Sequence, residues 1–85
     1  MHLEFSTNAR NDFQYWTKKD PQKLKKIFYV LEAILENPFF GIGKPERLKH
    51  DYAGCWSRRI DREHRLVYRM EAQSIVVLSL RYHYL

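Results

Sequence analysis

The chain has 85 residues, a formal net charge of +5, 45% apolar and 15% aromatic residues, and one cysteine. This is the length of one domain, 1–85, and it is too apolar and aromatic for a disordered tail. Cys55 alone excludes an internal disulfide and a thiol-based metal cluster, so a buried, inert thiol is expected. No run reaches the ~20 apolar residues of a membrane span, and residues 1–10 lack a signal-like apolar stretch. The expected setting is therefore the reducing cytoplasm. Charge is uneven: residues 1–43 hold six Lys/Arg against five Asp/Glu, whereas 44–85 hold nine against five. A basic half that also carries Tyr, Trp and His suits RNA or an acidic partner, and charge alone does not separate the two.

Residues 2–5 alternate polar and apolar and predict a short strand. Ser6 and Thr7 follow as candidate helix caps, and Ala9, Phe13 and Trp16 then recur at helical spacing. Asp20-Pro21 marks a second helix start, with Pro where its missing N–H costs nothing. Leu24, Ile27, Phe28, Leu31, Ile34 and Leu35 form its apolar stripe, and Asn37-Pro38 ends it. Segment 39–45 reads as a loop; its Gly41 and Gly43 precede no helix, which argues against a phosphate-binding glycine loop.

After the loop the period changes to two. Segments 56–60, 65–70 and 74–80 predict strands joined by turns at 61–64 and 71–73. The expected fold class is α+β, with two N-terminal helices packed on a small twisted antiparallel sheet. In the last two strands the even positions Leu66, Tyr68, Met70, Val76, Leu78 and Leu80 are expected to receive the helices. Arg65, Arg69, Arg81 and His83 would then share the opposite face, with Arg59 joining them. Parity alone also fits a merely solvated charged face.

His2, His50, His64 and His83 show no metal-ligand spacing, so neither a metal nor a cofactor is expected. Their chemistry points elsewhere. Metal-free RNA cleavage needs a base for the 2′-OH, a cation for the charge growing on phosphorus, and an acid for the leaving 5′-oxygen. Glu46, Arg65 and His83 are residue types that meet these needs, drawn from a loop and two strands. His50 beside Lys49, and His83 between Tyr82 and Tyr84, suit acid–base or phosphate contacts.

These residues stand in runs that resemble the YoeB-type toxins of the RelE superfamily. The runs are Gly43-Lys44-Pro45-Glu46, Leu48-Lys49-His50, Gly54, Trp56-Ser57-Arg58-Arg59-Ile60, Glu63-His64-Arg65-Leu66-Val67-Tyr68 and Arg81-Tyr82-His83-Tyr84. The resemblance implies a microbial-ribonuclease-like fold and a ribosome-dependent endoribonuclease that cleaves mRNA in the ribosomal A site. It implies Glu46 as general base, His83 as general acid and Arg65 as the group that stabilises the transition state. Arg59 would hold the phosphate, Lys49 and His50 would contact the RNA backbone, and Tyr84 would stack on or orient a base. Glu63 would support the site from behind, positioning Arg65. Lys44, Arg58 and the lysines of the second helix would face ribosomal RNA. A YefM-like antitoxin, a homodimer and operator binding by the toxin–antitoxin complex are the partners implied. The sequence departs from the resemblance at Arg47, Cys55 and Leu85, none of them a proposed catalytic residue. Two other functions remain open at this point: a ribonuclease that needs no ribosome, and a non-catalytic RNA-binding or repressor module.

Overall fold

The first strand, β1 (His2–Phe5), gives way to α1 (Thr7–Lys19) through Ser6, whose hydroxyl works in two directions. In the computed structural model, which describes residues 1–81, Ser6 Oγ accepts from the Ala9 amide at 3.0 Å and donates to the Leu78 carbonyl at 3.0 Å. One side chain thus caps α1 and ties its start to the last strand. Farther along, two polar groups of the buried helix face grip Leu80. Asp12 accepts from its amide at 2.8 Å, and Trp16 Nε1 donates to its carbonyl at 3.0 Å. Both backbone groups of a fully buried residue are thereby satisfied.

The second helix, α2 (Pro21–Glu36), starts at Pro21 as expected, although the Asp20 side chain makes no cap bond. Its buried line is Ile27, Val30, Leu31 and Ile34. The predicted stripe was wider: Phe28 and Leu35 lie on its flank and stay 51% and 41% exposed. Phe28 keeps a ring contact with Phe13 of α1 at 5.9 Å, and among the described residues no third α-helix covers that flank.

The remaining strands are β2 (Glu46–Arg47), β3 (Cys55–Arg59), β4 (Arg65–Met70) and β5 (Ser74–Ser79), in the sheet order β1-β5-β4-β3-β2. The α+β class and the two-helix layer match the expectation. The sheet is mixed, because β1 runs parallel to β5 while every other pair is antiparallel. The chain passes through both helices before it returns to the sheet, so β5 can lie beside β1 in the same direction. β2, which the sequence presented as loop, is too short to show a period.

Side-chain parity in β5 is the reverse of the expectation. Glu71 and Ser74 exchange backbone hydrogen bonds, leaving only Ala72-Gln73 in the turn. Met70 therefore faces Ile75 and Tyr68 faces Val77, so Ile75 and Val77 enter the main core with Leu66 and Tyr68. An irregularity follows, where Val67 pairs with Ser79 but Tyr68 with Val77. The additional residue, Leu78, packs on the far side with Val67, and Leu80 returns to the core.

Arg58 departs most from expectation. It is fully buried, not a surface contact for RNA, because it shares a register position with Leu66 on the helix-facing side. Its guanidinium donates to the carbonyls of Asn37, Phe40 and Ile42 and to the Tyr68 hydroxyl. The Tyr68 hydroxyl donates onward to the Pro38 carbonyl at 2.5 Å. Burial pushes the Tyr68 phenol above its ordinary value, and the Arg58 cation offsets part of that rise. Together these groups staple loop 37–42 to the sheet.

A second tie fixes the β3–β4 turn. Asp61 Oδ1 accepts from the amides of Glu63 and His64, while Oδ2 receives Lys23 Nζ from α2. Partial burial alone would raise this carboxyl, but the Lys23 bond, the two amides and the lysine charge outweigh it. The net result is a value below the ordinary 3.8.

Two outcomes follow. Arg58→Ala strands several buried acceptors and should cost about 3 kcal/mol or more in urea denaturation; a loss under about 1 kcal/mol would refute the staple. Because the folded Asp61 value is depressed, its stabilisation is present above the unfolded value and fades as pH falls through the folded one. The stability gap between wild type and Asp61→Asn should therefore be full at neutral pH and shrink below pH ~4. A gap that stays constant down to pH ~2 would contradict the assignment.

Candidate active site

The site stands on the sheet face turned away from the helices, and strand register builds it. Glu46 pairs with Ser57, Ser57 with Val67, and Arg59 with Arg65. Paired residues share a face, so Glu46, Arg59 and Arg65 converge there from three strands. Their floor is a small second core of Leu48, Cys55 and Val67, flanked by Tyr52 and Leu78. Cys55 is a buried free thiol within it.

Glu46 and Arg65 are the central pair. Arg65 Nη1 lies 4.0 Å from Glu46 Oε1, with the arginine side chain 14% exposed and the carboxylate 49% exposed. At that distance they attract without a hydrogen bond. Arg65 Nη1 is buried and meets no hydrogen-bond partner among the described residues, and Ser57 Oγ shares that condition. A buried cation with an open donor is costly unless a ligand oxygen completes it. The arrangement sets a half-exposed carboxylate beside a guanidinium whose Nη1 meets no hydrogen-bond partner among the described residues. In the sequence Ser57 stands out only as part of the run 56–60. Its place opposite Glu46 depends on β2, which no sequence period announced.

Lys49 and His50 come to the same place. Leu48 and Cys55 close the β2–β3 connection by a backbone hydrogen bond, and a 3₁₀ turn, His50–Tyr52, fills it. His50 enters that turn at φ 58°, a left-handed conformation unusual for a residue with a side chain. A depression of about 400 Å³ is lined by Glu46, Lys49, His50 and Tyr52, among others.

Other expected members lie elsewhere. Arg69 shares the face but is bound to Glu71 at 2.8 Å. Arg81 sets its guanidinium carbon 3.4 Å from the Tyr15 ring centroid, against α1. Glu63 is 72% exposed and stands 4.0 Å from His64 Nε2, so its described contact is with that histidine rather than Arg65. His83 and Tyr84 lie outside the described residues. Among the described residues, no group of three or more His, Cys, Asp or Glu side chains is placed to hold a metal ion, and no helix is long and apolar enough to cross a membrane.

Comparison with known proteins agrees with this architecture. A family model described as the YoeB-like toxin of bacterial type II toxin–antitoxin systems matches residues 5–84. Toxin YoeB of Escherichia coli K12 is 44% identical over 84 residues, covering 99% of this chain and all of the relative. Toxin RelK of Mycobacterium tuberculosis is 44% identical over 82 residues, 96% of each chain. Among solved structures, a YoeB/ParE toxin from Agrobacterium tumefaciens superposes with a TM-score of 0.93 at 41% identity, over 99% of this chain and all of that one. A Staphylococcus aureus YoeB dimer superposes with a TM-score of 0.90 at 42% identity, over 99% and 98%. Escherichia coli YafQ, at 20% identity and a TM-score of 0.75, shares the fold. By its sequence from residue 5 to 84 and by its architecture, the chain belongs to the YoeB-like toxins of bacterial type II toxin–antitoxin systems.

Proposed function

We propose that the chain is a ribosome-dependent endoribonuclease that cleaves mRNA in the ribosomal A site and so stops translation. The observation that carries this reading is the Glu46–Arg65 pair: a guanidinium Nη1 without a hydrogen-bond partner among the described residues, 4.0 Å from a half-exposed carboxylate, on a face that also bears Arg59. A module that only binds RNA has no need of a proton acceptor beside its phosphate contact.

In the proposed reaction, Glu46 takes the proton of the substrate's 2′-OH, and the 2′-oxygen attacks the adjacent phosphorus. Arg65 and Arg59 bear on the non-bridging oxygens, where charge grows, and a guanidinium remains charged at any working pH. His83 gives a proton to the departing 5′-oxygen. The products are a 2′,3′-cyclic phosphate and a 5′-hydroxyl, with the proton from the 2′-OH left on Glu46 and one lost from His83. No metal takes part. Lys49 and His50 hold the backbone of the RNA, and Tyr84 stacks on or orients a base. Glu63 acts from outside the pair, through the turn that His64 occupies rather than by direct contact with Arg65.

A YefM-like antitoxin is the proposed partner, since a Staphylococcus aureus relative has been solved as a heterotetrameric YoeB–YefM complex. It would cover the basic face with acidic residues, using charge pairing to offset the ordering of its chain. The homodimer has the Staphylococcus aureus YoeB dimer as its precedent. Operator binding by the complex and a cytoplasmic location complete the proposal.

Glu46→Ala, Arg65→Ala and His83→Ala should each lower single-turnover cleavage on programmed ribosomes by roughly 10²–10⁴. Melting curves should stay close to wild type, since among the described residues neither side chain of the pair makes a hydrogen bond. Naked RNA of the same sequence should be cut far more slowly than ribosome-bound message. Full activity of a folded Glu46→Ala would remove the base from the mechanism, and equal cutting of naked RNA would remove the ribosome.

A further inference from the structure

The loop between α2 and β2 presents aromatic side chains to solvent in a way that core packing does not explain. Phe39 and Phe40 are 43% and 74% exposed. Their backbone is nonetheless held at several points. Asn37 Oδ1 accepts from the amides of Phe39 and Phe40 at 3.0 and 3.2 Å. Arg58 holds the carbonyls of Phe40 and Ile42, and Tyr68 holds that of Pro38. Gly41, at φ +136°, lets the loop approach so closely that a Cβ there would meet Arg58 Nη1 at 3.0 Å. Exposed aromatics on a backbone fixed in advance lose little entropy when a ligand arrives.

The neighbours of these rings specify the ligand. Phe39 lies 5.1 Å from Trp56, tilted by 52°, and the Arg47 guanidinium carbon stands 5.4 Å from the Trp56 ring centroid. With Pro45 and Gly41 they border an open groove of about 640 Å³. Aromatic faces beside an arginine are the chemistry that captures unpaired nucleobases by stacking, the cation meeting ring or phosphate. The groove also lies next to the proposed reaction centre. The two residues of β2 point to opposite faces, Glu46 with Ser57 and Arg47 with Trp56. A strand of RNA crossing this short edge strand would have its scissile nucleotide on one side and a neighbouring base on the other. The α2 flank offers a second apolar groove, but Glu32 and Glu36 border it, the wrong charge for RNA.

The geometry points to a base-stacking subsite formed by Phe39, Phe40, Trp56 and Arg47, which binds an unpaired base flanking the scissile nucleotide and helps hold the message for cutting. This inference rests on the ribonuclease reading. Arg47 is one of the positions at which the chain departs from the family resemblance, so its cation in this groove would be a property of this chain.

The test is a coupling cycle on ribosomes programmed with messages that carry an abasic site at each position flanking the scissile nucleotide. At one position, loss of the base should lower wild-type kcat/KM by roughly 5- to 150-fold, the range for one stacked base. Phe40→Ala and Arg47→Ala, both at exposed side chains, should lower cutting of the intact message and be insensitive to the abasic site at that position. Phe40→Tyr should restore the dependence. Cutting of the intact message with no coupling at any position overturns the subsite alone. If Phe40→Ala instead dissociates a dimer in sedimentation and no coupling is seen, the groove is a protein interface and the subsite is likewise overturned. No cutting of the intact message by wild type overturns the ribonuclease reading and the subsite with it.

Discussion

The pairing of β2, β3 and β4 is the constraint on which the site depends. Register alone brings Glu46, Ser57 and Val67 into one row and Arg59 and Arg65 into the next. A slip of one residue would turn Glu46 to the helix-facing side and bring Arg47 to the site in its place. Two features oppose that slip. Arg58, between Ser57 and Arg59, is pinned inside the fold by hydrogen bonds that only its present orientation permits. The Arg59 amide also donates to the Gly43 carbonyl at 2.7 Å, holding the approach to β2 against the end of β3. The buried guanidinium therefore serves the opposite face without touching it.

The helix layer acts at the other end of the sheet. Asp12 and Trp16 grip both backbone groups of Leu80, and Ser6 holds the carbonyl of Leu78. These bonds fix where β5 ends, and so where the chain leaves the core on its way to Arg81 and the residues beyond. Asp61 joins α2 to the turn that leads into Arg65. These polar groups of the helix layer anchor the end of β5 and the turn before Arg65.

Much of this was legible in the sequence. Capping by Ser6, the Pro21 start, the α2 period and four of the strands follow from short-range chemistry that one chain displays. What was not legible depended on long-range pairing. β2 has two residues and no period. The parity of β5 turned on whether two or three residues form the turn after Met70, which composition does not decide. The resemblance implied that Arg58 faces ribosomal RNA, whereas the oxygens of loop 37–42 and Tyr68 receive its guanidinium inside the fold. The proposed pair, Glu46 and Arg65, was named from residue chemistry and family resemblance. Its convergence on one face comes from register, and that Arg65 Nη1 meets no hydrogen-bond partner among the described residues could be seen only in three dimensions.

The central claim is that a carboxylate on this face takes a proton from the substrate itself. It is tested most directly with a message carrying a 2′-deoxy sugar at the scissile nucleotide, set on programmed ribosomes beside the normal message. The account predicts that the deoxy message binds yet resists cutting, and that the normal product ends in a 2′,3′-cyclic phosphate or its 3′-phosphate hydrolysis product. Clean cutting of the deoxy message, or a product ending in a 3′-hydroxyl, would contradict the 2′-OH mechanism and the role assigned to Glu46.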